Sequence, residues 1–458
     1  MSESNGVIRP SRQHLTNVTE YKHYTVSNFE TIPQVKRLPK DIIFGIKVVA
    51  QVFPFKVNQY VVDELIDWNN VPEDPIFRLT FPQKEMLRPH HFSQVAKLLE
   101  SGDRDELQRV VNEIRLSLNP HPAMQMQLNV PQFEGTTLQG VQHKYRETTL
   151  FFPTSGQTCH AYCTFCFRWP QFVGMDELKF ASREADRFAA YLKTQPNVTD
   201  VIFTGGDPMV MKSKVFRRYL EPLLDPELEH VQNIRIGTKS LAYWPQKYVV
   251  EDDADDVLRM LEELVNAGKH VAIMAHSSHY RELETPIAQE AIRRVRDTGA
   301  EIRTQSPLLR HINDSSEVWQ KMWRLQVRLG MVPYYMFVER DTGPAHYFEV
   351  PLAEGVEIYA NAIRHVSGLA RTARGPSMSA TPGKIEIQGV AEIAGEKVFV
   401  LRMLQARNPN WAYRPFFAKF DPNATWFDDL KPAFGEKEFF FEAEMRAMQE
   451  AALSAASS

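Results

Sequence analysis

The three cysteines of the chain, Cys159, Cys163 and Cys166, are its clearest chemical feature because all of them fall within eight consecutive positions. They lie in the segment SGQTCHAYCTFCFRW, whose Gly, Ser and Thr content predicts a loop. A loop can wrap several thiolates around a compact metal centre, whereas a strand points its side chains to alternate faces. We predict that the three thiolates hold a [4Fe-4S] cluster and leave one of its irons open.

Two other interpretations of the cysteines stay open. In the first, the three cysteines are unrelated buried thiols, although free cysteine is usually scattered through a core. Alternatively they form a zinc site with His160, although structural zinc prefers paired ligands on separate turns and no second pair is present. An odd number of cysteines in one loop gives no disulfide framework, so we expect a reducing, cytoplasmic compartment.

Composition narrows the class of protein. With 458 residues, of which 43% are hydrophobic and 24% charged, the chain is long enough for one catalytic domain with appended segments. A net charge of -4 without a dense Lys/Arg run argues against nucleic acid as a partner. The first residues, MSESNGVIRPSRQHL, lack the apolar core of a signal peptide, and no uninterrupted apolar stretch of about 18 residues occurs. We expect neither secretion nor a membrane span.

The scaffold that holds the cysteine loop is predicted as repeated strand–helix units. Six runs rich in β-branched or aromatic residues alternate with helix-period segments, a pattern typical of a parallel sheet. The predicted strands cover residues 148–155, 198–206, 231–239, 270–278, 301–308 and 331–338. Six strands are too few for a closed eight-stranded barrel, so we predict an α/β fold: a partial (βα)6 TIM-like barrel with functional groups at the carboxyl ends of its strands.

Helix boundaries and flanking regions complete the predicted organisation. Thr285 and Pro286 are expected to open one helix, while Gly268, Gly299 and Gly330 are expected just past the ends of three. We predict a mainly helical N-terminal region (1–145), the barrel (146–340) and a C-terminal αβ extension (341–458) containing a β-hairpin within 384–402. Apolar faces in the outer regions are candidate contacts of a homo-oligomer, although such faces more often cover a core.

The cysteine motif resembles that of the radical S-adenosylmethionine (SAM) superfamily. The spacing CxxxCxΦC, with aromatic Phe165 before the last cysteine and a position after the first barrel strand, is the feature that carries the resemblance. The resemblance implies that the open iron binds the amino and carboxylate groups of SAM and that reductive cleavage releases a 5'-deoxyadenosyl radical. A fourth cysteine is therefore not expected.

The same resemblance implies further SAM contacts. Gly205, Gly206 and Asp207, in the segment TGGDPM, match the superfamily's glycine-rich motif for the SAM amino group. His276 and Gln305 match other SAM-binding positions. The alternatives are a tight strand-to-helix turn for the glycines and polar residues satisfied within the barrel rim for the others.

A closer resemblance is to lysine 2,3-aminomutase and its relatives, and it extends from residue 143 to about 402. The cysteine loop, TGGD, IRIGTKS, HSSH, TQSPLLRHIND and VPYYMF occur in that family's order. The resemblance implies pyridoxal 5'-phosphate (PLP) as a second cofactor and Lys384, in SATPGKIEIQG, as the lysine that forms its Schiff base. It also implies that Arg168 binds the substrate carboxylate, for which a forked guanidinium is suited.

The chain departs from this family at the substrate pocket. The two aspartates with which lysine-specific enzymes bind the distal ammonium are matched by Arg340 and Ser377. A cationic arginine would repel that ammonium, so we expect a substrate other than lysine, with a distal carboxylate or neutral polar group. Asp341 would restore an acid after a small register shift, and Arg340 would leave the pocket if it paired with Glu339 or a surface acid.

A second departure concerns the PLP phosphate. The family's phosphate-binding arginine is matched by Thr148, so Lys144 and Arg146 are the remaining nearby cations. The cysteines that bind zinc in some relatives are absent, and no structural zinc is implied.

From the resemblance we predict an isomerase that moves an amino group between C2 and C3 of a small-molecule amino acid. One alternative is a PLP-independent radical SAM enzyme that abstracts hydrogen from another small molecule or a protein side chain. A non-enzymatic alternative is an iron–sulfur electron carrier or metal sensor, against which the missing fourth cysteine argues. The enzyme would need an electron donor such as a flavodoxin or ferredoxin.

Overall fold

The structure, a computed structural model, describes residues 15–457. Residues 1–14, on which the prediction about a signal peptide rests, lie outside the described residues. None of the helices within that range combines the length and the apolar character needed to cross a membrane.

Short helices, a two-stranded antiparallel pair and a small hairpin precede the main sheet. The elements are β1 His23–Thr25, α1 Lys40–Val52, β2 Lys56–Asn58, α2 Pro75–Thr80, α3 Pro89–Ser101, α4 Arg104–Ser117, α5 Gln125–Asn129, β3 Gln132–Phe133 and β4 Thr136–Thr137. Their apolar side chains join those of the parallel strands in one hydrophobic core, which runs from Val18 to Phe348 along the sequence.

All six predicted parallel strands are confirmed. They follow the edge strand β5 Val141–Tyr145, and they are β6 Thr148–Phe151, β7 Asp200–Phe203, β8 Asn233–Thr238, β9 His270–His276, β10 Glu301–Leu308 and β11 Val332–Val338. Each is paired in parallel with the next along the chain, while β5 is antiparallel to β6. Consecutive parallel neighbours require a crossover between every pair, and helices provide it.

Amphipathic helices fill those crossovers. They are α6 Ala185–Lys193, α7 Ser213–Leu220, α8 Ser240–Tyr243, α9 Ala254–Asn266, α10 Pro286–Asp297 and α11 Ser316–Arg328. Thr285 caps α10 by accepting a hydrogen bond from the Ala288 amide, as predicted. Gly268, Gly299 and Gly330 follow three helix ends with φ of +86°, +84° and +73°, which confirms their predicted role.

The predicted strand ends differ from the observed ones at the carboxyl side. The first strand stops at Phe151 instead of residue 155, and the second stops at Phe203 instead of residue 206. After the second strand the chain turns directly into Thr204, Gly205, Gly206 and Asp207, which line the cysteine cavity. The overestimate of that strand therefore falls on a segment that lines the candidate site.

The C-terminal extension continues the same sheet. It contains α12 Ala345–Phe348, α13 Leu352–Arg364, β12 Arg374–Ser379, β13 Gly383–Ile393, β14 Glu396–Ala406, β15 Pro415–Lys419 and α14 Glu442–Ser457. Strand β12 is parallel to β11, and β13 to β15 are antiparallel, so the sheet of the described residues has eleven strands and is mostly parallel. The predicted hairpin is confirmed, with Ala394 and Gly395 at positive φ in its turn.

Candidate active site

The three cysteines line a single cavity of about 170 Å³ beside the carboxyl ends of the parallel strands. All three thiols are free. Burial raises the pKa of Cys163 to about 11 and of Cys166 to about 12, and it raises the pKa of Cys159 further, with added repulsion from the other two sulfurs. These thiols therefore need a positively charged partner to become thiolates, and a bound metal centre would supply one.

The zinc interpretation has no support in the described residues. Among residues 15–457, no three His, Cys, Asp or Glu side chains are arranged to hold a single metal ion. The His160 ring stacks on Trp244, and burial lowers its pKa to about 3. A cubane cluster takes its three thiolates on separate corners, whereas one zinc ion draws its ligands to a point, so the shared cavity fits the cluster better.

The glycines of the segment TGGDPM allow its backbone to touch the cysteine loop. A Cβ on Gly206 would lie 2.4 Å from the carbonyl oxygen of Thr158, which is backbone and cannot swing aside. Gly205 has φ of +134°, a region that favours glycine. The amide of Asp207 donates to the carbonyls of Gly156 (3.0 Å) and Thr158 (2.7 Å). The glycines thus fix the cysteine loop against the end of β7.

The carboxylate of Asp207 is buried and has several protein partners. It accepts hydrogen bonds from the Thr238 hydroxyl (2.6 Å), the Lys239 amide (2.9 Å) and the Met209 amide (2.9 Å). Burial raises its pKa to about 6, against the lowering effect of these bonds. The side chain lines the cysteine cavity and ties β8 to the loop after β7, while its contact with a SAM amino group stays a prediction.

His276 and Gln305 lie where the cysteine cavity meets a second one of about 230 Å³. The His276 ring is 5.5 Å from that of Phe165, and its Nε2 is 3.1 Å from the Ser278 hydroxyl. Burial and the nearby Lys239 lower the pKa of His276 well below its usual range, so the ring is neutral. The structure brings both residues to the site that the sequence predicts for them.

The second cavity is lined by every one of the six predicted strands. One lining residue from each strand in turn is Leu150, Ile202, Arg235, Met274, Gln305 and Phe337. Strands at opposite ends of the parallel series therefore face the same space.

Arg168 borders both cavities and also a third one, of about 200 Å³, next to the second. Its guanidinium carbon lies 4.3 Å from the ring centre of Phe152 and 5.0 Å from that of Phe167. Burial lowers its pKa to about 9, with Cys166 acting in the opposite direction. The group thus remains a cation at neutral pH, two residues from a cysteine and facing open space.

Lys384 begins the hairpin strand β13 and lines the second and third cavities. Its Nζ lies 4.2 Å from the ring centre of Tyr335. Burial, helped by the charges of Arg235 and Arg374, lowers its pKa to about 7. At pH 7 the neutral, nucleophilic form of this amine is therefore far more populated than that of an exposed lysine.

The third cavity is strongly cationic. Its lining includes Lys144, whose Nζ donates to the carbonyl of Ala380, and Thr148. The Thr148 hydroxyl donates to Asp200 (2.9 Å), and Asp200 also pairs with Arg235 on β8. Arg235, which lines this cavity, therefore lies close to Thr148, the position that matches the family's phosphate-binding arginine. Arg146 pairs instead with Glu147 at the surface. Of the two cations predicted near the phosphate, only Lys144 reaches the cavity.

Arg340 lines the second and third cavities, as expected from its match to a substrate-binding aspartate of the family. Its ion-pairing alternative is not observed, because no carboxylate in the described part of the chain lies within salt-bridge distance. Asp341 accepts instead from the side chain of Asn119 (3.1 Å) and lines neither cavity.

Ser377 does not line the second or the third cavity. This residue is fully buried, and its hydroxyl donates to the carbonyl of Met336 at 3.4 Å. Ser379, which is paired with Lys384 across the strands, lines both cavities in its place. Arg235 was also missed, although a charged residue inside the apolar strand NIRIGT is a signal that sequence reading could have used.

Comparison with known proteins identifies the family of this chain. The chain is 30% identical to a putative L-lysine 2,3-aminomutase of Aquifex aeolicus over 396 residues, which span 86% of this chain and 92% of the relative. The chain belongs to the lysine 2,3-aminomutase family. L-lysine 2,3-aminomutases of Acetoanaerobium sticklandii (28% identity; 76% of this chain, 73% of the relative) and Bacillus subtilis (23%; 76% and 63%) are also similar. The resemblance predicted from the motifs is confirmed.

Other comparisons add little to the aminomutase assignment. No family model matches the chain. Among solved structures, Streptococcus suis SuiB bound to S-adenosylmethionine has a TM-score of 0.35 at 13% identity, covering 58% of this chain and 56% of SuiB. The radical S-adenosylmethionine methyltransferase TsrM of Kitasatospora setae has a TM-score of 0.30 at 13% identity, covering 47% and 41%.

Proposed function

We propose that the protein is a radical SAM aminomutase that moves an amino group between C2 and C3 of an amino acid. The observation that carries the proposal is the junction at Arg168, which borders both the cavity of the three cysteines and the cavity of Lys384. A substrate held there would lie between the source of a radical and the lysine amine.

Each cofactor has side chains that fit it. Cys159, Cys163 and Cys166 would hold a [4Fe-4S] cluster, and SAM would bind its open iron beside Gly206 and His276. With SAM, the cluster supplies a carbon radical that can remove a hydrogen atom, and PLP supplies a ring over which an unpaired electron is delocalised.

The remaining side chains bind and position the PLP and the substrate. Lys384 presents a neutral amine for PLP, with Lys144 and Arg235 as cations for its phosphate. Arg168 would orient the substrate carboxylate with two parallel hydrogen bonds. The apolar walls of Leu150, Ile202 and other strand residues would exclude water, which protects a radical from side reactions.

We also infer that the sheet curves into a partial barrel. Six parallel strands contribute to the lining of one cavity, which a flat sheet would not allow. The hydrogen bond from Lys144 on β5 to Ala380, between β12 and β13, brings an edge strand next to the far side of the parallel series.

The cellular setting follows from the same chemistry. Three free thiols and an oxygen-sensitive cluster favour the cytoplasm, where a flavodoxin or ferredoxin would supply the electron.

Anaerobic reconstitution with iron, sulfide and PLP tests this proposal. The reduced protein, given SAM and a pool of amino acids, should release 5'-deoxyadenosine and form a β-amino acid detectable by mass spectrometry. A Lys384→Ala variant should lose both the bound PLP and the β-amino product. The alternative of a PLP-independent enzyme rests on Thr148, and 5'-deoxyadenosine release by wild-type protein that binds no PLP would favour it.

A further inference from the structure

The two cavities beyond the cysteine site carry an excess of positive charge. Five basic side chains line them: Lys144, Arg168, Arg235, Arg340 and Lys384, of which Lys144 has its pKa lowered well below the usual range by burial and by neighbouring cations. Among the described residues that line these cavities, Glu339 is the only acid, and burial raises its pKa well above its usual range. A ligand that enters this space therefore meets several arginines and a single carboxyl group, that of Glu339.

Two of these cations have no carboxylate within salt-bridge distance among the described residues, although Asp341 and Glu339 act on Arg340 from farther away. Arg235 is paired with Asp200, and Lys384 is partly neutral. Arg168 and Arg340, in contrast, form no ion pair with any described residue. The Nε of Arg340 is buried without a hydrogen-bond partner, and one of its terminal nitrogens makes only a long bond of 3.4 Å to the carbonyl of Pro122. A buried donor left unpaired is costly, so this one calls for an acceptor from outside the chain.

The two unpaired arginines lie at a distance that a short ligand can bridge. Both guanidinium groups pack on the ring of Phe167, with their central carbons 5.0 Å and 5.2 Å from its centre. The two groups are therefore at most about 10 Å apart, and a guanidinium is able to bind a carboxylate through two parallel hydrogen bonds.

We propose that the substrate is a dicarboxylic α-amino acid, with its α-carboxylate on Arg168 and its distal carboxylate on Arg340. This inference rests on the proposed function and names the substrate class of that site. Glutamate is the shortest member of the class on which the reaction makes a new compound. Aspartate has carboxylates on both carbons involved, so moving its amino group from C2 to C3 gives aspartate again.

The reaction on glutamate balances without an added oxidant or reductant. The C2–N bond breaks and a C3–N bond forms, while one hydrogen moves from C3 to C2. The product, 3-aminopentanedioate, is an isomer of glutamate and has no stereocentre. Lysine, whose distal ammonium would face Arg340, is disfavoured by repulsion between two cations.

A binding comparison tests the charge of the distal group directly. Calorimetric titration of the anaerobic holoenzyme should give at least a tenfold lower Kd for L-glutamate than for L-glutamine, which has the same shape without the charge. In Arg340→Gln this preference should disappear, and in Arg340→Lys, which keeps the charge, it should be partly retained. Arg146→Gln, at the surface, serves as the matched control and should keep the preference.

Turnover separates this inference from the function on which it rests. With glutamate, wild-type protein should form 3-aminopentanedioate, and kcat/KM in Arg340→Gln should fall roughly 30-fold or more, mainly through KM. Equal binding of glutamate and glutamine, or turnover of lysine in preference to glutamate, would overturn the substrate class while leaving the aminomutase intact. If no amino acid yields a β-amino product, the proposed function itself fails. Thermal unfolding of each variant checks that it folds.

Discussion

The amine of Lys384 should react with small aldehydes around a midpoint near pH 7, far below that of an ordinary lysine. With a pKa of about 7 in place of 10.5, the fraction of neutral amine at pH 7 rises roughly a thousandfold. The shift comes first from burial and then from the cations Arg235 and Arg374. Removing one of those cations in Arg374→Gln should therefore move the midpoint to higher pH.

Reductive methylation across a pH series, followed by peptide mass spectrometry, measures this midpoint without needing PLP. Lys397, exposed on the neighbouring strand β14, provides an internal reference in the same digest. A midpoint for Lys384 close to that of Lys397 would refute the assignment of a neutral nucleophile, and an unchanged midpoint in Arg374→Gln would refute the electrostatic part of its cause.

The pH dependence of protein stability provides a second measurement of the lowered pKa of Lys384. Because the folded state binds the Lys384 proton less tightly than the unfolded state does, the wild-type lysine lowers stability most below pH 7 and not at all above about pH 10.4. Lys384→Met should therefore gain stability relative to wild type at low pH and lose that gain as pH rises through this window. Denaturant unfolding of Lys384→Met and Lys397→Met measures it, and parallel curves for the two variants would contradict the reasoning.

Two further substitutions test how the site is assembled. Gly206→Ala should destabilise the protein by about 1–3 kcal/mol and reduce its iron content, because the new Cβ meets the Thr158 backbone; Gly389→Ala, whose Cβ has open space, is the control in thermal unfolding and iron assays. Arg168→Lys keeps the charge but loses the fork, so KM for the substrate should rise about tenfold or more with unchanged iron content. Normal iron content in Gly206→Ala, or an unchanged KM in Arg168→Lys, would refute the respective role.

Hydrophobic periodicity and the residues at helix ends made the strand–helix scaffold predictable from the sequence. Strand runs such as 198–206 carry enough β-branched residues to be recognised alone, and the strand at 301–308 has the predicted bounds. Glycines such as Gly299 adopt the positive φ that their position after a helix requires. The three cysteines and Arg168 were identified because their spacing within one loop is local information.

Long-range contacts account for what the sequence did not reveal. The lowered pKa of Lys384 depends on Arg235, which lies about 150 positions earlier in the chain and becomes a neighbour only through the folding of the sheet. Ser377 and Ser379 are two residues apart on β12, so which of them reaches the cavity depends on their position along the strand, next to a shift in its pairing register with β11. Counting positions along an aligned sequence does not reveal that register shift.

The junction formed by Cys166, Phe167 and Arg168 has a consequence for how this enzyme could acquire new substrates. Two peptide units join the proposed cluster ligand Cys166 to the proposed carboxylate anchor Arg168, so their Cα atoms are never more than about 7.6 Å apart. A change in the backbone around the α-end of the substrate would therefore move the cluster ligand as well. The distal end of the substrate would lie near Arg340, just after β11, and Ser379 on β12. Neither residue is close in sequence to a cysteine. Directed evolution aimed at new amino acids should accordingly find its tolerated changes there.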